Sequence, residues 1–242
     1  MSTIATTNIK EPSSATNNIT LTSGGDTTIS GDTTISGDTT ISGNATISGT
    51  PTLGGLTYPT ADGTANQVLK TDGSGTLSFA NNITHSTVQS TASGSTGIEF
   101  TDVPTGVKKI TVIFDDVGTN LGSSEVRIEL STGGTYLTSG YTSTSIRTQS
   151  GATPGNDTLT TGLIVGRLDN ANKALTGAVT IYNVTGNRWL SSGLCVCTDD
   201  QNRSWQSGGF IDVGGVIDKL RVVGHGSAYT WDSGQINVMY EV

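Results

Sequence analysis

Charge is scarce in this sequence of 242 residues: Lys, Arg, Asp and Glu make up 13%, about half the roughly 25% of an ordinary soluble domain. The 12 basic residues are scattered and outnumbered by 20 acidic ones, for a formal charge of −8. Nucleic acid is excluded as a partner on that ground, because phosphate binding needs clustered Lys and Arg. Two histidines, His85 and His225, carry no HxH or HExxH spacing, and neither a GxSxG elbow nor a Walker A loop is present. No apolar run approaches the ~18 residues of a membrane span. The opening "MSTIATTNIKEPSSATNN" has no basic stretch followed by an apolar one, so export by the Sec route is not expected.

Cysteine occurs twice, as Cys195 and Cys197 in "GLCVCTD". Residues i and i+2 of a strand share a face, and a bridge across so small a loop would be strained. Metal binding by CxC needs further Cys or His nearby, and there is none. Both thiols are therefore expected to be reduced and packed, as in a protein made in a reducing cytoplasm.

Acidic pairs are few. A glycosidase needs two carboxyl groups roughly 5 to 10 Å apart in a cleft, and the candidates are the neighbours Asp115-Asp116 and Asp199-Asp200. Adjacent strand residues face opposite ways, so both pairs are expected in solvated turns where strands end, with a Ca²⁺-holding loop as the alternative. No catalytic residue, cofactor or resident metal is expected, and the chain is not expected to be an enzyme.

What replaces charge is Thr, Ser, Asn and 33 glycines, and much of it is ordered. In "GGDTTISGDTTISGDTTISGNATISGTPTLGG" (Gly24 to Gly55), Ile29, Ile35, Ile41, Ile47 and Leu53 recur every six residues, with Gly25, Gly31, Gly37, Gly43, Gly49 and Gly55 in step. Thr pairs between them favour β-structure, so each hexad reads as a short strand ending in a Ser-Gly turn. Glycine at every sixth position excludes collagen, which needs every third. A single-chain β-helix would use three hexads per rung, and five hexads fall short of two rungs where stacks need about three units. Three identical chains about one axis would close an apolar layer at each hexad, so a homotrimeric stalk is expected. A flexible linker is the alternative, but it has no need of a β-branched residue at constant phase.

Beyond the repeat, "QVLKT" and "TLSFA" flank Asp72-Gly73-Ser74-Gly75 and read as a hairpin. From Ile98 the strands lengthen. "SEVRIELS" puts Val126, Ile128 and Leu130 on one face and Glu125, Arg127 and Glu129 on the other, and "GQINVMYEV" does the same with Ile236, Val238, Tyr240 and Val242. With "VKKITVIFD", "TGLIVGRL", "GAVTIYNV", "WLSSGLCVC", "GGFIDV" and "VIDKLRVVG", about eight strands without helical periodicity predict an all-β chain ending in an antiparallel, jelly-roll-like β-sandwich. The expected organisation is a docking segment over 1–18, the stalk over 19–57, a hairpin neck and linker over 58–97, and the sandwich head over 98–242.

Aromatic residues are 5% of the chain, so their placement carries weight. Tyr136 and Tyr141 ("GGTYLTSGYTS"), Trp205 ("NRSWQSGG"), and Tyr229 and Trp231 ("GSAYTWDSG") stand among Gly and Ser, where loops are expected. Exposed loop rings stack on sugars or fill partner pockets. Tyr229, Trp231 and the acceptor Asp232 are the first candidates for receptor contact, with Tyr136, Tyr141 and Trp205 next. Packing against the sandwich or between subunits is the competing role. Trp189, on an apparent strand, is expected in the core.

Three stretches carry a resemblance. "NIKEPSSATNNITL" (Asn8 to Leu21) and "YPTADGTANQVLKTDGSGTLSFA" (Tyr58 to Ala80) resemble segments of the fibre proteins of tailed bacteriophages, especially phages of marine bacteria and cyanobacteria. "GGVIDKLRVVGHGSAYTWDSGQINVMYEV" (Gly214 to Val242) resembles the last strands of their β-sandwich tips. The resemblance implies a trimeric virion fibre: N-terminus docked on tail or capsid, β-structured shaft, and a distal head that attaches to a host-surface glycan or protein. The chain is short for a main tail fibre, which keeps a capsid fibre or decoration protein open. A small polysaccharide-degrading tailspike is the further alternative.

Overall fold

The computed structural model describes residues 33–91, 96–121, 124–169, 171, 173–198, 203–224 and 229–242. The expectations for residues 1–18, Ile29, Asp199, Asp200 and His225 fall outside that set. The described chain is all-β without a helix and divides into two units, Met1–Gly49 and Thr50–Val242.

Residues 33–49 of the first unit contain no strand in the single chain. A strand needs a neighbour to take its N–H and C=O groups, and among the described residues no strand pairs with a Thr-Thr-Ile segment.

The second unit opens with two small hairpins. β1 (Thr52–Leu53) and β2 (Leu56–Thr57) pair around Gly54 and Gly55, whose φ values of 59° and 82° lie in the left-handed region that glycine enters without steric cost. β3 (Val68–Thr71) and β4 (Leu77–Ala80) pair antiparallel across Asp72–Gly75, as the turn residues predict. The Asp72 carboxylate accepts hydrogen bonds from the backbone N–H of Ser74 at 2.7 Å and of Thr76 at 3.0 Å, and these bonds hold its pKa below the usual carboxylate range.

β5 (Ile83–His85) and β6 (Gln89–Ser90) then lie along one edge of the head. The remaining strands are β7 (Gly97–Phe100), β8 (Lys109–Thr119), β9 (Ser124–Thr132), β10 (Thr135–Tyr136), β11 (Thr142–Thr148), β12 (Gly155–Leu159), β13 (Leu163–Leu168), β14 (Ala174–Thr185), β15 (Arg188–Thr198), β16 (Arg203–Asp212), β17 (Ile217–Val223) and β18 (Trp231–Glu241). They form two sheets. The larger runs β12-β11-β16-β15-β14-β8-β18, with β5 and β6 on the free edge of β18; the smaller runs β10-β9-β17-β7, with β13 also on β9.

One face of each sheet is apolar, as the period of two requires. Val126, Ile128 and Leu130 of β9 meet Val112, Phe114, Val179, Ile181, Ile236 and Val238 of the larger sheet in a single buried cluster, which is the core of a β-sandwich. Trp189 lies in it at 5% exposure, and Cys195 and Cys197 are buried thiols in no disulfide. Burial pushes the Cys195 thiol up to about 12. The jelly-roll expectation needs correction: β14, β15 and β16 are consecutive neighbours in one sheet, a meander where a jelly roll has Greek keys. The cause is local, since only Gly186 and Asn187 separate the paired residues Thr185 and Arg188, too short a link to reach the other sheet.

The two ends of the sandwich differ. The neck enters where Val242 N–H donates to the Asn82 carbonyl and Lys108 N–H to that of Glu241. The row Lys109, Tyr182, Leu190 and Phe210 crosses the sheet at that end. β16 runs from Phe210 there to Arg203 at the opposite end, on the order of 20–25 Å away at about 3.3 Å per residue.

Candidate functional site

Of the stalk residues, Ile35, Ile41 and Ile47 are 59–61% exposed and Leu53, opposite Leu56, is 55% exposed. Nothing among the described residues covers these side chains.

The receptor candidates require correction. Tyr229, Trp231, Tyr141 and Trp205 are core residues at 3% exposure or less, and a ring without free surface cannot stack on a ligand. Trp231 opens β18, and Tyr229 meets it edge-on at 5.7 Å and 84°. The Tyr229 hydroxyl accepts from Gly224 N–H at 2.5 Å and donates to the Thr96 carbonyl. The Tyr141 hydroxyl accepts from Leu130 N–H at 2.8 Å. Each phenol thus ties a connecting segment to a strand of the smaller sheet or its end. Asp232 is exposed. Tyr136 is half-buried on β10, with Arg221 Cζ 4.2 Å and Lys219 Nζ 4.6 Å from its ring centre.

Asp115 and Asp116 are exposed but lie inside β8, at a bulge where Asp116 has φ of 55°, and not at a strand end. A bulge adds a residue without ending the ladder.

Burial is the main cause that pushes the Tyr136 phenol up to about 12, with Glu99 adding to it. It also raises the phenols of Tyr141, Tyr229 and Tyr240. The sign of the linkage is definite. A folded-state pKa above the unfolded value of about 10 means that the fold binds these protons more tightly. The resulting stability is complete below about pH 10 and is lost as pH rises through about 12. Urea unfolding is therefore expected to show stability falling from about pH 10 upward, with the phenolates of these four tyrosines forming mainly as the protein unfolds. Tyrosines that all titrate near pH 10 in the folded protein would contradict it.

At the end of the sandwich away from the neck, the ends of β11, β12, β13 and β16 surround a cavity of about 450 Å³ lined by Arg147, Gly155, Asn156, Asp157, Arg167, Asp169 and Trp205. Three of the chain's six arginines meet here. Arg147 Nη1 lies 3.8 Å and Arg167 Nε 3.7 Å from the Asp169 carboxylate, which also takes Arg203 Nη1. Arg167 Nη1 is 3.6 Å from Asp157. Three guanidinium groups thus face two carboxylates among the described residues. Burial, and after it the like charge of Arg147, lowers the Arg203 pKa.

Trp205 is packed from below by β13. Gly166 leaves it room, since a Cβ there would stand 2.8 Å from Trp205 Cγ. The Trp205 indole N–H and Arg147 Nε are buried and donate to no acceptor among the described residues, a condition that costs about 1–3 kcal/mol per group.

Sequence reasoning named Trp205 here and missed the arginines and aspartates, which come from four strands and carry no shared spacing. Their signal was parity. Trp205 keeps phase with the inward Ile211, so a strand through "RSWQSGGFID" buries both. No protein family matches the chain, and neither does any curated protein or solved structure.

Proposed function

We propose that the chain is a structural fibre protein of a bacteriophage particle, a homotrimer docked through residues 1–18 and attaching to the host surface through its sandwich head. One observation carries this reading: a β-branched residue at every sixth position, held in phase and about three-fifths exposed in the single chain at Ile35, Ile41 and Ile47. Two further copies of the same chain supply a partner with matching periodicity.

The outer face of the larger sheet supports self-assembly independently. Tyr182 and Leu190 form one cross-strand row with Phe210, and Leu194 aligns with Ile146 through Gln206. Tyr182, Leu190, Leu194, Val196 and Ile146 are 41–54% exposed, together on the order of 400 Å², the size of the largest apolar patch on a typical monomer, which is often an interaction site. Its charges stand at the margin, as the pairs Lys109–Glu241 and Arg188–Asp212. An apolar centre with a charged rim suits the copies that the repeat would bring together.

Tail and capsid docking both fit a chain of this length. Deleting residues 1–18 is expected to remove the protein from purified particles and leave its oligomeric state unchanged. Normal copy number of the truncated chain on particles would place docking elsewhere, and antibody labelling of intact particles distinguishes tail from capsid.

A further inference from the structure

We propose that the heads mate heterologously through the outer face of the larger sheet, the apolar ridge at Leu194 and Ile146 of one copy seating in a groove beside Val88, Ile113 and Ala178 of the next. The inference rests on the trimer reading and adds which surfaces meet.

Side-chain size divides the face into two halves. Across β18, β8, β14, β15, β16 and β11 the outward residues Asn237, Ile113, Ala178, Leu194, Gln206 and Ile146 form one row. On the β11 side it stands high, with Leu194 54% and Ile146 47% exposed. On the β18 side it sinks to Ala178, which with Thr111, Thr176 and Gly177 lines a groove of about 700 Å³. Val88 forms the far wall. It stands in a bulge: Ser86, Thr87 and Val88 face only Asn237 and Val238 of β18, between the pairs His85–Met239 and Gln89–Ile236.

The groove suits an apolar occupant. Polar side chains that line it are already engaged, since Gln235 Nε2 donates to Asp115 at 2.8 Å, and Asn237 Oδ1 accepts from Ser86 Oγ at 3.3 Å and from Val238 N–H at 2.8 Å. Contact is left to Val88, Ile113 and Ala178.

Symmetry selects the occupant. A two-fold axis sets a patch against itself, which would put ridge on ridge and leave the groove open. A three-fold axis sets one patch against a different one, so each copy offers its groove to one neighbour and its ridge to the other, and the ring closes. The distribution of charge agrees. Outward positions of the smaller sheet are Glu99, Glu125, Arg127, Glu129, Lys219 and Arg221, whereas the row of groove and ridge holds no charge. Area agrees as well: seven strands and the span from Lys109 to Asp115 on β8 make a face of about 29 by 20 Å. Its projection of about 600 Å² is of the order of the ~800 Å² that each partner gives to a standard interface.

The test is disulfide trapping in the full-length protein. Val88→Cys and Leu194→Cys in one chain lie about four strand spacings apart, ~19 Å, too far for a bridge within the chain. Both positions are about half exposed, so the fold is expected to tolerate them. After mild oxidation with diamide, the double variant is expected to run as a covalent trimer on a denaturing gel without reductant, and each single variant as one chain. The single variants also control for Cys195 and Cys197, which are buried. Ala178→Trp added to the double variant fills the floor of the groove and is expected to reduce the linked fraction by about fivefold or more.

A covalent dimer from Leu194→Cys alone would overturn the heterologous contact in favour of ridge on ridge. A folded trimer whose double variant stays unlinked would reject the seating, and so would linkage that Ala178→Trp leaves unchanged. The fibre reading fails separately. A trimeric mass without linkage loses only this interface, whereas a wild-type mass of one chain removes the trimer itself.

Discussion

Light scattering on the purified protein is expected to return three times the 24.8 kDa chain mass, and Ile35→Asp with Ile41→Asp is expected to dissociate the assembly where the wild type stays intact. The expectation follows from burial. Each Ile that leaves water for an apolar axis contributes about 1.5–3 kcal/mol when fully covered, and in a trimer every hexad covers three at once. The double substitution removes six of those side chains and sets six carboxylates in their place. An unpaired buried carboxylate costs several kcal/mol after relaxation, so two hexad layers change from favourable to strongly unfavourable. The sandwich has its own core and should keep its unfolding transition. A wild-type mass of one chain would sink the stalk and the fibre together, whereas a trimer unaffected by both Asp residues would move the interface to the outer face of the larger sheet.

The second large effect concerns Trp231. Trp231→Ala is expected to destabilise the head by about 3–5 kcal/mol, the cost of removing a fully buried large aromatic side chain. For a domain of this size that corresponds to a drop in melting temperature on the order of 10 °C. The ring has no exposed surface, and its removal also deprives Tyr229 of its edge-on partner at 5.7 Å. The neighbouring Asp232→Ala serves as the control. Its side chain is exposed, and surface substitutions stay within about ±0.5 kcal/mol. Similar melting curves for the two variants would show that Trp231 is not a packing residue.

Alternation of polar and apolar residues determined the strands that it could reach. "GQINVMYEV" buries one parity because a strand turns its side chains to alternate faces; "SEVRIELS" puts Val126, Ile128 and Leu130 in the core by the same rule, but Glu129 on the opposite face is also buried, between Arg127 and Arg221, and the hairpin around Asp72 follows from a turn that its own carboxylate can cap. The packed, unbridged state of Cys195 and Cys197 was legible for the same reason of parity. Glycine and serine misled where they line strands: in "RSWQSGGF" composition read as loop what the ladder pairs from Arg203 to Asp212. Which strands share a sheet was decided only by tertiary structure, through the two-residue link at Gly186 and Asn187 and the long-range pairing of β8 with β14 and β18. The cavity belongs wholly to that level. Arg147, Asp157, Arg167 and Arg203 sit on four strands, and no local periodicity couples residues whose only common property is to end at the same edge of the sandwich. The hexad repeat is the reverse case: its period is complete in the sequence, while its burial needs neighbours that a single chain does not contain.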